Sequence, residues 1–472
     1  MAPGPIYAAI ARRPIQGLII PLASVRPSYG IMRSGPMGII IMAATAGQGI
    51  IPMLFMRAAT SAAMDLRAAS FGEALAAVLS PYLPEPTNPH SENQQTMQRV
   101  SINPRNNWQQ AVEQLGFGFH TTNVPYWDES AYYEFKLDEI LLIEKATAEL
   151  WDLCLGAAEH VMDNNLYHKF GIPPEFIPYI EKSWMEDHPA IYGRFDLCYK
   201  EGQLKLLEFN ADTPTSLYEA GIVQWFWLQD FDKGKDQFNS IHEKLILYWK
   251  FLKNYLYKDT LHFTCLKETL EDLTNTEYMR DCAIQGGLDT KLVFVDDIGW
   301  DANEQVFRDM EDQPIKNIFK LYPWEWMVKD EFGQHILTDK NKTYWVEPAW
   351  KMLLSNKAIL PVLWELYPDC PYLLPAYFEK EGLEDYVKKP ILSREGANIE
   401  IFRKGAPLQQ TSGEYGAEGY IYQELFTLPK FGDHYPVIGS WVIGQEPAGM
   451  GIREANHLIT ENTSRFIPHL IV

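Results

Sequence analysis

The chain has 472 residues, of which 46% are hydrophobic and 13% aromatic, and a formal net charge of −21. That composition can bury a large core, which excludes a mainly disordered chain. The acidic balance argues against nucleic acid as a main partner, because binding it needs a basic surface. Five cysteines without a CxxC spacing (Cys154, Cys198, Cys265, Cys282, Cys370) argue against a disulfide scaffold or a zinc ribbon. They fit a reducing, cytoplasmic setting.

The charge is unevenly spread. Residues 1–96 hold no Lys, Trp or Cys, and carry six Arg against four acids. The remaining 376 residues carry a net −23. Residues 1–96 are therefore read as a leader, disordered or outside the mature fold, with Pro81–Ser91 as a linker and Met97 as an alternative start. An organelle-targeting segment is a second reading of this acid-poor stretch. Within it, Gly35–Met56 is uncharged and long enough to span a bilayer. Pro36, Pro52, Gly38, Gly47, Gly49 and Gln48 weaken it as a helix, so membrane contact is not expected.

From Met97 the text is that of a packed body. Asp128–Asp163 reads as helix, with Leu137, Ile140, Leu141, Ala148 and Trp151 on the apolar stripe and Asp128 or Ser130 as N-cap. Tyr192–Asn210 (YGRFDLCYKEGQLKLLEFN) reads as a hairpin about Glu201-Gly202-Gln203. Arg194 and Asp196 share one face, and Glu208 and Asn210 share another. The faces coincide if Asp196 opposes Glu208 and Arg194 opposes Asn210, which calls for a three-residue loop. Two carboxylates and an amide then converge as a hard-cation site suited to Mg²⁺. Arg194 beside them offers a forked donor to a phosphoryl or carboxylate group.

Asp212, Thr213, Thr215 and Ser216 crowd a turn before a helix starting near Leu217, whose free amides would suit a substrate carboxylate. Phe238–Tyr257 is a further helix. Residues 259–330 then alternate: strand Leu261–Leu266, helix Leu270–Gly286, strand Lys291–Ile298, a polar acidic helix, and strand Ile315–Leu321. This implies a small parallel sheet. Without GxGxxG it is not a dinucleotide site.

Ala349–Leu366 reads as helix, kinked or split by Pro361, with Lys357 just before its apolar run. Tyr386–Phe402 and Gly419–Arg453 read as antiparallel strands. Lys388-Lys389 precede the polar turn Ser393–Asn398, which can lay amides over phosphates. Tyr422–Phe426 reads as an edge strand able to bond an adenine through its backbone. Arg453 lies on a strand in the Gly-rich run Gly449–Arg453.

Six segments carry a resemblance: YGRFD, LLEFNADTPTSLYEAG, SNKAILPVLWELYP, YVKKPILSREGANIEIF, LPKFGDHYPVIGSW and GIRE. Together they resemble the glutathionylspermidine synthase family, over nearly all of residues 97–472. The resemblance implies an α+β, ATP-grasp fold, with 259–330 as a Rossmann-like pre-ATP-grasp region and 345–472 as the ATP-grasp region. It implies ATP and Mg²⁺ as cofactors, a peptide or small-molecule carboxylate and an amine as substrates, and amide formation through an acyl phosphate. By the same resemblance Asp196, Glu208 and Asn210 bind Mg²⁺, and Arg194 and Arg453 hold the transferring phosphate. Lys357 and Lys389 contact ATP phosphates, and Gln423, Glu424 and Leu425 hold adenine. Thr213 and Thr215 match positions where bifunctional members carry substrate-binding serines. The amidase domain of those members, which uses a Cys nucleophile, is not expected in the Cys-free residues 1–96. A non-catalytic ATP-binding scaffold or sensor using the same cleft is the alternative. A membrane-tethered interaction protein would depend on Gly35–Met56 alone.

Overall fold

The computed structural model describes residues 97–121 and 124–472, together with the backbone of three short strands, Ile31–Arg33, Ile40–Thr45 and Ile50–Leu54. The chain divides into two units, Met1–Gln94 and Gln95–Val472. In the first, the three strands form an antiparallel sheet. The expectation of a leader over residues 1–96 otherwise falls outside the described residues. The described parts of Gly35–Met56 are strands, and among the described residues no helix is long and apolar enough to cross a membrane.

Ala131–Phe135 is a strand, not the first turns of a helix. Its aromatic AYYEF run suits a pleated surface, and it pairs with Gln98–Ser101 and His469–Ile471. The helix begins at Leu137 and runs 27 residues to Asp163. It starts where the Glu139 carboxylate accepts from the Lys136 amide at 2.8 Å. It buries Ile140, Ile143, Leu150, Trp151 and Cys154. Leu137 and Leu141, expected on that stripe, face solvent.

The parallel sheet is present, in the order Tyr344–Val346, Asn317–Leu321, Leu261–Cys265, Thr290–Leu292. Helix Leu270–Gln285 makes the crossover between its last two strands. Two expectations fail at its rim. The strand placed at Lys291–Ile298 stops at Leu292, and Val295–Asp297 turns as 3₁₀. The polar acidic helix is instead a short hairpin, Gly299–Asp301 with Val306–Arg308. Its second strand buries two consecutive apolar residues, Val306 and Phe307, inside an otherwise acidic stretch.

Two five-stranded antiparallel sheets complete the body. One joins the acidic hairpin (Tyr192–Lys200 and Gln203–Asn210) to Tyr435–Ile443, Glu446–Ala455 and Arg465–Ile467. The long helix packs on Tyr435–Ile443 and Glu446–Ala455. The other has the order Ala376–Tyr377, Tyr420–Glu424, Tyr386–Pro390, Glu400–Arg403, Ala406–Gln410. Between them the expected helix Ala349–Leu366 is split into Lys351–Leu354 and Ile359–Leu366. Pro361 does not cause the split. It sits in the first turn of the second helix, where its missing N–H is no loss. The break falls at Ser355–Ala358, where Asn356 Nδ2 donates to the Phe170 carbonyl at 2.8 Å and Oδ1 accepts from the Ala358 amide at 2.9 Å. That break is where Lys357 sits.

Candidate active site

The hairpin pairs Asp196 with Glu208 and Arg194 with Asn210. The loop that achieves this is not the expected three-residue one. Lys200 pairs with Gln203, leaving Glu201 (φ 53°) and Gly202 (φ 78°) as a two-residue turn with both φ positive. Such a loop alone would turn the two faces apart. A β-bulge restores them: Leu206 opposes Leu197 and Glu208 opposes Asp196, so Leu207 is the extra residue. Leu206 and Leu207 then spend their carbonyls outside the hairpin. The first accepts from Gln423 Nε2 at 3.1 Å and the second from Lys389 Nζ at 2.8 Å.

The polar face of this hairpin forms one wall of a cavity of about 210 Å³. The twelve residues that the resemblance assigns to the site all line it, while Ser216 and Lys388 do not. Arg194 forks onto Asp196 (2.6 and 3.0 Å) and gives its third nitrogen to the Thr215 carbonyl at 2.7 Å. Its side chain lies flat across the neighbouring strand only because residue 439 is Gly, where a Cβ would come within 2.7 Å of Arg194 Cδ. Asn210 Nδ2 lies between the two carboxylates, 3.1 Å from Asp196 and 3.2 Å from Glu208. Lys357 Nζ is 3.2 Å from Glu208 and donates to the Ser393 carbonyl at 2.8 Å. Lys389 Nζ donates to Gln423 Oε1 at 2.7 Å.

These neighbours set the ionisation. Burial opposes the charge on Glu208, but Lys357 and Lys389 outweigh it and pull the carboxyl down to about 2. Burial pushes Asp196 up, with Glu208 adding to it against the pull of Arg194. Burial, with Lys357 as a second cation, brings Lys389 down to about 8. The site thus concentrates charge of both signs in a desolvated place.

Among the described residues no three His, Cys, Asp or Glu side chains gather as a metal set. A cation here must use two carboxylates and the Asn210 amide. That donor set fits Mg²⁺, which takes one or two carboxylates and completes its shell from phosphates and water. Asn210 Nδ2 already occupies the point between both carboxylates, and turning the amide over would present Oδ1 there.

The adenine expectation is changed in detail. Tyr420–Glu424 is an inner strand, flanked by Ala376–Tyr377 and Tyr386–Pro390. The Glu424 and Leu425 amides are already bonded to the Pro375 and Asp385 carbonyls. The Gln423 side chain, 2% exposed, braces Lys389. An apolar sleeve of Val387, Ile399, Ile401, Leu425, Leu458 and Ile459 lies on this side of the cavity. It offers a flat base a place that no motif announced.

The turn at Asp212–Ser216 is also rewired. The Leu217 and Tyr218 amides are capped by Asn275 Oδ1, so they are not free for a substrate. Asp212 forms a fully buried pair with Lys320 at 2.6 Å and accepts the Trp324 amide at 2.8 Å. Thr213 Oγ1 accepts from Arg394 Nη2 at 2.7 Å. Arg394 also reaches Glu325 at 3.0 Å, and it lines the cavity although sequence reasoning did not select it. The polar turn Ser393–Asn398 after the paired lysines was its signal. Arg453 donates to Ser216 Oγ and to the Glu461, Asn462 and Ser464 carbonyls.

An α+β body with a parallel sheet, and a cleft where an acidic hairpin meets a lysine-bearing antiparallel sheet, defines an ATP-grasp protein with a Rossmann-like pre-ATP-grasp region. The family model described as glutathionylspermidine synthase preATP-grasp matches residues 99–472, and the chain belongs to that family. It is 44% identical over 377 residues to a Haemophilus influenzae protein provisionally described as an acid–amine ligase, covering 76% of this chain and 95% of that one. It is 30% identical over 367 residues to trypanothione synthetase of Crithidia fasciculata, covering 71% of this chain. It is 29% identical over 398 residues to the bifunctional glutathionylspermidine synthetase/amidase of Escherichia coli, covering 77%. It spans only 56% and 63% of the length of these last two.

Proposed function

We propose that the protein is an ATP- and Mg²⁺-dependent carboxylate–amine ligase that joins a peptide or small-molecule carboxylate to an amine or polyamine. The carrying observation is the convergence of Asp196, Glu208 and Asn210 with Lys357 and Lys389 in one desolvated cavity. In this reading a substrate carboxylate oxygen attacks the γ-phosphorus of ATP, ADP leaves, and an amine displaces phosphate from the acyl phosphate. Lys357 and Lys389 grip the nucleotide phosphates. Arg194 and Arg453 neutralise charge on the moving phosphoryl group. Thr213 and Thr215 stand at the acyl-substrate side. The apolar sleeve beside Gln423, Glu424 and Leu425 takes the base. Mg²⁺, held by Asp196, Glu208 and Asn210, would supply charge neutralisation on the phosphates when bound. No protein nucleophile is required.

The names of the relatives support an amide-forming ligase and suggest a peptide and a polyamine as first substrates to try. The body's net charge of −23 suits a cationic amine. The unpaired cysteines favour a cytoplasmic setting. We read residues 97–472 as the ligase. ADP release with glutathione plus spermidine, then with a wider set of peptides and amines, tests the proposal. No ATP binding, and no turnover with any pair, would refute it.

A further inference from the structure

Behind Arg453 lies a chain of hydrogen bonds with a fixed direction. Tyr126 Oη donates to Glu219 Oε1 at 2.6 Å. Its one proton is thereby spent, so the 3.0 Å contact between Tyr126 Oη and Ser216 Oγ has Ser216 as donor. Ser216 Oγ in turn accepts from Arg453 Nη1 at 3.1 Å and keeps one lone pair. Every donor points toward Glu219. That residue is fully buried, and its second oxygen, Oε2, has no partner. A buried carboxylate oxygen left unpaired is costly. Nothing in the phosphate, cation or base sites uses it. The chain starts beside the acyl-substrate end of the cavity, since Thr215 and Arg453 line it and Ser216 follows Thr215.

Resting on the ligase reading, we propose that Ser216, Tyr126 and Glu219 are a proton path that takes the proton an incoming ammonium must lose before it can attack. A primary amine arrives protonated near neutral pH. One proton passes from nitrogen to Ser216 Oγ, from Ser216 to Tyr126 Oη, and from Tyr126 to Glu219. The freed lone pair forms the C–N bond, the bond from the acyl carbon to the phosphate oxygen breaks, and phosphate leaves with that electron pair. The leaving phosphate takes the second N–H proton. Glu219 acts through Tyr126 and Ser216 and does not touch substrate.

The groups facing Glu219 from the packed elements are Tyr126, Arg453, Glu271 and its neighbour Tyr218. Burial first, and then Glu271, push Glu219 up to about 7, against Tyr126 and Arg453. As carboxylate it accepts a proton and as acid it cannot. Turnover should therefore rise as pH passes through about 7.

Glu219→Gln keeps an acceptor for Tyr126 but cannot take a proton. With full-length protein, glutathione and spermidine, kcat should fall on the order of 100-fold and the acid limb of the pH profile should vanish. Tyr126→Phe keeps the ring under Arg453 and should fall similarly. Hydroxylamine, which arrives uncharged, should restore much of the loss in both variants. An unchanged pH profile in Glu219→Gln, or an equal loss with hydroxylamine, overturns the proposal. A substrate-free measurement separates it from the ligase reading. An infrared band of Glu219 as the acid, read as the difference between the wild type and Glu219→Gln, should appear as pH falls from about 8 to 6, over the background of Asp272, which burial pushes up to about 6 in both proteins. Absence of that difference band overturns the proposal whatever the ligase assays give.

Discussion

Lys389→Met should make the ligand-free protein more stable while destroying its nucleotide site. Lys389 is buried with its ammonium pulled from an ordinary 10.5 down to about 8. A depression of that size corresponds to a penalty of about 3 kcal/mol for holding the charge in the folded state. Met fills nearly the same volume without that penalty. It leaves the Leu207 carbonyl and Gln423 Oε1 without their donor, at about 1 kcal/mol each. The net expectation at neutral pH is a gain of about 1 kcal/mol. The pH dependence carries the stronger signature. Between pH 8 and 10.5 the unfolded Lys389 holds its proton while the folded one does not. Wild-type stability should therefore rise with pH across that window. The advantage of the variant should shrink and reverse within the same window. Urea midpoints of both proteins at several pH values read this directly. ATP should raise the melting temperature of the wild type and leave that of the variant unmoved. A stability difference that does not change with pH, or a variant that ATP still stabilises, would refute the assignment of a strained, ligand-seeking cation.

Three further outcomes follow from the geometry. Asp196→Asn and Glu208→Gln should each lower Mg²⁺-dependent ADP release on the order of 100-fold or more, with far-UV circular dichroism unchanged; full activity in both would remove the hairpin cation site. Gln423→Leu removes both the brace on Lys389 and the bond to Leu206, so ATP should bind about tenfold more weakly, read by tryptophan fluorescence titration. Deleting Leu207 removes the bulge but leaves Glu208 opposite Asp196; it takes away the carbonyl that receives Lys389, so ATP should bind about tenfold more weakly, and unchanged binding would show that this carbonyl does not hold the lysine.

Much of the site was legible because it rests on side-chain chemistry at alternating positions. The pairing of Asp196 with Glu208 followed from the demand that polar residues share a face. The bulge that delivers it did not, because a Leu inside KLLEF carries no mark of being unpaired. Ala131–Phe135 was misassigned for a related reason: its partners lie near residues 98 and 469, and such distant pairing overrides a local helical pattern. The same distance hid the inner position of Tyr420–Glu424. Arg394 and Glu219 escaped selection because a lone charged residue says little until burial and neighbours are known. The apolar sleeve of Val387, Ile399, Ile401 and Leu458 reads in sequence as ordinary core. Lys357 was expected on a helix, and it stands at a helix break that Asn356 creates by spending its side chain on two backbone groups.

The hairpin obeys a parity rule. Its tight turn and its bulge each shift the strand by one residue, and only their sum decides which face carries Glu208. At the same chain length, a three-residue turn with an unbroken ladder would present the same carboxylates, while a change in either feature alone would not. A change of turn at Glu201-Gly202 that keeps the chain length is therefore coupled to the segment Leu206–Glu208, several residues away. Leu207 adds a second condition, since its carbonyl also receives Lys389. A relative that loses the bulge must find another anchor for that lysine, so loss of the bulge should be accompanied by changes in the strand that carries it.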